Sequence, residues 1–234
     1  MAARSATSAP RWRRLVVWLH VLASVGWMAQ AIALAALTAT AVSATDPATA
    51  LSAVSMAEHL DGHVLAPMAN AAAFTGFFLA LATPWGLTRH WWVLVKAAIT
   101  VTLLYLGIFV LSDALHAAVE AAHSGGPRPT TLMTTGAALM AGAIAFQAWV
   151  SIAKPWGPTR WFARTRPPKL PAAPTMLLRM GVAAPTADIV IGTALGYPMP
   201  LLSLAVLITA AVHRRRSTSA TRTRDTSPTP APAA

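Results

Sequence analysis

Residues 83–91 read TPWGLTRHW, and residues 154–162 read KPWGPTRWF. Aligned on Pro-Trp-Gly, both carry P-W-G-x-T-R and then an aromatic within two residues. Each copy closes an apolar run, because Pro cannot continue a helical ladder and Gly leaves it. Trp favours the lipid–water interface, and the Arg that follows favours the headgroups of the face that keeps positive charge. Trp85, Arg89, Trp156 and Arg160 are therefore read as interface anchors. Copies 71 residues apart, after the second and fourth apolar runs, must share one membrane face. The repeat itself leaves two origins open: independent interface stops, or a duplicated helix hairpin.

Composition supports that reading. Of 234 residues, 56% are hydrophobic and 11% charged, with a mean hydropathy of +0.55. A soluble domain is roughly a quarter charged. Four runs, about 15–42, 63–82, 91–111 and 131–153, reach the ~20 residues that a helix needs to cross a bilayer. They predict an all-α polytopic protein with a four-helix transmembrane domain over residues 15–153. The first run ends in Ala-Val-Ser-Ala, which imitates a signal-peptidase site after Ala44. It is far longer than the ~7–15 apolar residues of a signal peptide, so an uncleaved helix is expected.

The net charge of +11 follows topology rather than nucleic acid, because the cations lie between and beyond the apolar runs. The arm 1–14 and the Pro-rich segment 154–187 are basic, whereas the loops at about 43–62 and 113–130 hold only Arg128 among cations. The expectation is a multi-pass cell-membrane protein with a cytoplasmic N-terminus. Residues 188–212 form a fifth hydrophobic segment, interrupted by Tyr197-Pro-Met-Pro200. It either spans or re-enters; spanning would leave Arg214, Arg215 and Arg216 on the wrong face for positive charge. The tail 213–234 is polar, basic and Pro-rich, and is expected to be disordered. With no cysteine, disulfides, thiolate metal sites and cysteine nucleophiles are excluded.

Two windows away from the basic face concentrate acids and histidines. One is Glu58-His59-Leu60-Asp61-Gly62-His63; the other is Asp113, His116, Glu120 and His123. The second set recurs at spacings of 3, 4 and 3, which places it on one helical stripe. His59 and His63 stand one above the other if the helix continues back through Gly62. Counting about 1.5 Å per residue from the basic turn, Asp61 and Asp113 both rise roughly 33–35 Å, level with each other. Imidazole with carboxylate suits Zn²⁺ or Cu²⁺, so His59, Asp61, His63, Asp113, His116, Glu120 and His123 are candidate metal ligands. The alternative is that these are the polar ends of helices emerging into water.

Three polar groups fall inside the apolar runs: His20, Lys96 and Gln147. Ionisable groups there are costly unless paired or snorkelling. Lys96 lies ~9 Å from the basic end, within reach of its own long stem. His20 has three uses open to it: a bond to Ser24, a neighbouring helix, or axial ligation of haem.

L-H-V-L-A-S-V-G-W-M in the first run, T-G-F-F-L-A-L-A-T-P-W-G-L-T-R-H-W-W-V-L-V-K and K-P-W-G-x-T-R together resemble a family of actinobacterial integral membrane proteins of unknown function, over about residues 12–162. The resemblance implies a four-helix bundle and no established activity. The L-H-V-L-x-x-x-x-W pattern is also similar to helix one of copper-resistance D-type membrane proteins, which implies a copper- or haem-associated role for His20. No G-x-S-x-G, H-E-x-x-H or phosphate-cradling loop is present. The expected function is a non-enzymatic accessory or transport-related subunit, working with the bilayer and with a membrane partner or further copies of itself. The alternative is a redox protein binding metal or haem.

Overall fold

The protein is seen in a computed structural model that describes residues 8–83, 85–124, 131–163, 173–196 and 199–225. Residues 1–7, Pro84, Arg128, 164–172, Tyr197-Pro198 and 226–234, on which parts of the expectations above rest, lie outside these. Seven helices make up the described chain: α1 (Ser8–Ser43), α2 (Pro47–Ala82), α3 (Trp91–His123), α4 (Thr131–Ala153), the single turn α5 (Arg160–Ala163), α6 (Thr175–Leu195) and α7 (Leu201–Asp225). Five of them, α1 to α4 and α6, are long and apolar enough to cross a membrane. The architecture is all-α and polytopic.

Helix α1 is the central post, flanked by α2, α4 and α6. Small residues permit this, since helices in lipid associate by close packing rather than by hydrophobic exclusion. Ala23, Ala31, Ala69, Ala72, Ala137 and Ala141 are all buried in the main core, together with Trp27 and Met140. Thr134 on α4 donates to the Thr38 hydroxyl on α1 at 3.1 Å, which ties the same seam with a polar contact. Helix α3 is the least buried of the spans, carrying Val101, Tyr105 and Phe109 outward.

The helices extend further than hydropathy alone suggests. α2 begins at Pro47, where Asp46 caps it by accepting from Ala48 N at 3.3 Å and Thr49 N at 3.0 Å. It then runs through Gly62 without a break, by way of a π-helical turn at Asp61–Leu65. α3 continues past residue 111 to His123 through a second π-helical turn at Gly107–Ser112. A π turn inserts one extra residue and rotates the side chains beyond it.

Residues 188–212 are not one segment. α6 starts at Thr175, inside the stretch read as a basic surface segment, and ends at Gly196 in the left-handed conformation (φ 79°). α7 then returns antiparallel to it. The N-terminus of α7 is capped by Asp188 of α6, whose carboxylate accepts from Leu202 N at 3.1 Å and Ser203 N at 2.8 Å. Thirteen residues further on, Arg214 reaches the C-terminal end of α2, so α6 and α7 form a hairpin that enters and leaves at the end where α1 begins. The helix persists to Asp225, into the tail expected to be disordered, because it is already nucleated in its apolar part and the arginines that follow are good helix formers.

Candidate functional site

The polar residues collect at three levels. At the basic end the two repeated turns lie against each other. Thr159 N donates to Arg89 O at 2.9 Å, Trp91 N to Gly157 O at 3.2 Å, and the buried Thr159 hydroxyl to Thr88 O at 2.9 Å. The interface anchors thus have unequal surroundings. Trp85, Trp156 and Arg160 are all exposed, but Trp85 receives Lys154 over its ring at 5.2 Å and packs edge-on to Trp92 and His90. Trp91 meets Trp161 across the two turns, with centroids 5.8 Å apart. Beside them Arg214 Nη1 donates to the carbonyls of Ala80 (3.2 Å), Leu81 (2.6 Å) and Thr83 (2.9 Å), which have no helical partner at the end of α2. Gly86 is required here twice over. Its φ is 66°, and a Cβ would stand 2.7 Å from the Arg214 guanidinium.

Within the spans, every polar group singled out from sequence is used to join helices. His20 of α1 donates through Nδ1 to Ala72 O of α2 at 3.0 Å; a carbonyl can only accept, so this nitrogen carries the proton. The Thr75 hydroxyl lies 3.0 Å from the same nitrogen, and the ring lies over Gly76, where a Cβ would approach His20 Cε1 to 3.1 Å. Lys96 of α3 donates to Ser151 Oγ of α4, two residues from the basic end of that helix. One turn along, Thr100 donates to Gln147 Oε1 at 2.9 Å, again between α3 and α4.

The third level is the acidic end, where the two π turns meet. Ser112 donates to Asp61, a carboxylate buried between α2 and α3. Next to it His116 Nε2 lies 3.5 Å from Glu58 Oε1. His116 Nδ1 donates to Ser112 O at 2.7 Å, so Nε2 bears a hydrogen only in the imidazolium form, and only then is the Glu58 contact an ion pair. The rings of His59 and His63 stack with centroids 4.1 Å apart on an exposed face of α2, His63 Nδ1 donating to His59 O at 3.0 Å. Asp113, Glu120 and His123 are exposed along α3. The π turns bring Asp61 and His116 to one seam and leave the other candidates outside it. Among the described residues no three His, Asp or Glu side chains converge as a metal-ligand set.

Sequence reasoning missed Ser112, Ser151, Thr75, Asp188 and Arg214. The hydroxyls give no signal beyond being small residues in apolar runs. The signal for Arg214 was its conflict with positive charge on the expected face, which the returning hairpin removes. No family model, curated protein or solved structure matches this chain.

Proposed function

We propose that this is a cell-membrane protein, with its basic end in the cytoplasm, that serves as a non-enzymatic accessory or transport-related subunit. The observation that carries this reading is how its intramembrane polar groups are used. His20, Lys96 and Gln147 each engage a neighbouring helix, which builds a rigid frame, while Asp61 and His116 form a titratable seam that opens at the acidic, extracytoplasmic end. The resemblance to the actinobacterial membrane family belongs to the same proposal, as does assembly with a membrane partner or with further copies. The exposed His59–His63 pair beside Glu58 favours a second reading, in which the acidic end holds Zn²⁺ or Cu²⁺.

Both readings are tested on purified protein in lipid nanodiscs, by titration with zinc and copper and by an absorption spectrum. The accessory reading expects neither stoichiometric metal nor a Soret band. One metal per chain, lost in a His63→Ala/His116→Ala variant, replaces it by the metal reading. A Soret band lost on His20→Ala replaces it by the haem reading.

A further inference from the structure

The basic end concentrates charge that its own carboxylates do not neutralise. Arg11, Arg13 and Arg14 are exposed on the first turns of α1, Arg179 on α6, Arg160 after α4 and Arg216 on α7. None of the six pairs with a described carboxylate. Of the seven Asp and Glu, five (Asp46, Glu58, Asp61, Asp113 and Glu120) sit at or beyond the opposite end and Asp188 is committed to capping α7, which leaves Asp225 at the end of α7 as the one remaining acid against these six arginines. This end therefore carries a clear surplus of positive charge.

Packing gathers these cations onto one rim. Val16 and Trp12 of α1, Phe78 of α2, Leu177 and Leu178 of α6 and Ala210 of α7 form one apolar cluster. The starts of α1 and α6 thus lie beside the last membrane turns of α7. The Arg179 guanidinium stands over the Trp12 ring, 5.6 Å from its centroid. A half-buried indole of this kind belongs at the depth of the headgroups, and it holds the cation above it at the same depth. Guanidinium groups match phosphate oxygens two at a time, and each basic group close to an anionic surface strengthens attachment about fivefold.

We infer that this rim is a binding surface for the phosphate headgroups of anionic phospholipids, with Arg13, Arg179 and Arg216 contributing from three different helices. The surface lies at the end opposite the Asp61–His116 seam, so it stands or falls independently of any metal or accessory role there. Phosphate free in solution offers the same oxygens, but lacks the acyl chains that would hold it at the depth of Trp12.

The experiment uses the full chain in neutral detergent, titrated separately with phosphatidylglycerol, with phosphatidylcholine of the same acyl chains, and with inorganic phosphate. Bound lipid is read by native mass spectrometry. Phosphatidylglycerol is expected to bind at least tenfold more tightly than phosphatidylcholine, with the preference shrinking as salt shortens the reach of charge. The combined Arg13→Gln, Arg179→Gln and Arg216→Gln variant should weaken phosphatidylglycerol binding on the order of 100-fold. The corresponding Lys variant should stay within a few-fold of the parent. Equal affinity for the two lipids, a preference untouched by 1 M salt, or an unaltered Gln variant would each overturn the inference. So would inorganic phosphate that binds as tightly as the lipid, since the site would then belong to a free anion. If the Gln variant does not fold, the lipid preference and salt dependence of the parent protein decide alone.

Discussion

The two ends of the bundle are both polar, yet they hold their helices by different means. At the basic end the contacts run to backbone. Thr159 reaches Thr88 O, the two turns exchange amide hydrogen bonds, and Arg214 gathers three carbonyls of α2. At the acidic end they run from side chain to side chain, Ser112 to Asp61 and His116 to Glu58, and the second of these changes with protonation. A backbone carbonyl neither titrates nor moves without its helix, so these contacts of the basic end do not depend on the charge of their acceptors. The acidic end carries groups whose charge answers to its surroundings. The contrast separates a frame from a responsive surface within one small membrane protein.

The most decisive way to break the comparison is to ask whether α7 ends where α1 begins. Cysteines introduced at Thr88 and Arg216, both exposed, should share one labelling pattern with a membrane-impermeant thiol reagent, and one at exposed Ser124 should show the opposite pattern. In intact cells Ser124→Cys is expected to label and the other two to be protected. Opposite behaviour of Thr88→Cys and Arg216→Cys would abolish the hairpin.

Stability follows. Arg214→Ala leaves the three carbonyls without their donor and should cost about 3 kcal/mol in denaturant unfolding, Arg214→Lys about half of that. A cost below ~1 kcal/mol would mean that the latch does not hold the hairpin.

The repeated turns sharpen the comparison further, since equivalent residues of the two copies differ in burial. Thr159 is fully buried and donates to Thr88 O, whereas Thr88 is exposed. Thr159→Val should therefore cost about 1 kcal/mol, and Thr88→Val should stay within ~0.5 kcal/mol of zero. Equal costs would mean that the copies are interchangeable, as in a symmetric duplication.

The smallest effect lies beyond the acidic end, at the cap of α2. Hydrogen bonds from the Thr49 side chain, then from the amides of Thr49 and Ala48, hold the Asp46 carboxyl below its ordinary 3.8. A carboxyl depressed by folding contributes stability above its unfolded value, and that contribution disappears as pH falls through the lower folded value. The first turn of α2 should fray only below about pH 4, seen as faster amide exchange at Thr49. Asp46→Asn, which still accepts these bonds, should remove the pH dependence and keep most of the protection. A turn that frays well above that pH, or one that frays equally in Asp46→Asn, would mean that the Asp46 carboxylate is not what holds it.

The fold was legible in the sequence as far as it depends on apolar length. Each of the four apolar runs falls within one of α1 to α4, because a bilayer admits little but a helix there, although α2 and α3 extend well past their runs. The shared face of the Pro-Trp-Gly turns was legible from counting crossings. Their direct pairing was not, because it depends on how α3 and α4 lean together. A return of the chain was one of two readings left open for 188–212, but the extent of the hairpin, 175–225, was hidden for a related reason. Hydropathy averaged over 188–212 does not register a chain reversal at Gly196, and the cue that it does turn, a membrane carboxylate at 188 with cations at 214–216, makes sense only once both have partners. At the candidate site, height was readable and rotation was not. Asp61 and Ser112 do face each other at one level, but the π turns decide which histidines join them, and no pattern in either helix announces an inserted residue.

The Arg214 latch also gives the molecule a history. The carbonyl of Thr83 and the guanidinium that satisfies it are 131 residues apart along the chain. At ribosomal speeds that distance is roughly ten seconds of synthesis. During that interval α2 already has its apolar neighbours in α1 and α3, but its last carbonyls have only water and headgroups to bond. The bundle is thus assembled open at the basic end and closed from its own far terminus, so a chain stopped before Arg214 would carry every crossing of the four-helix domain and still lack its keystone.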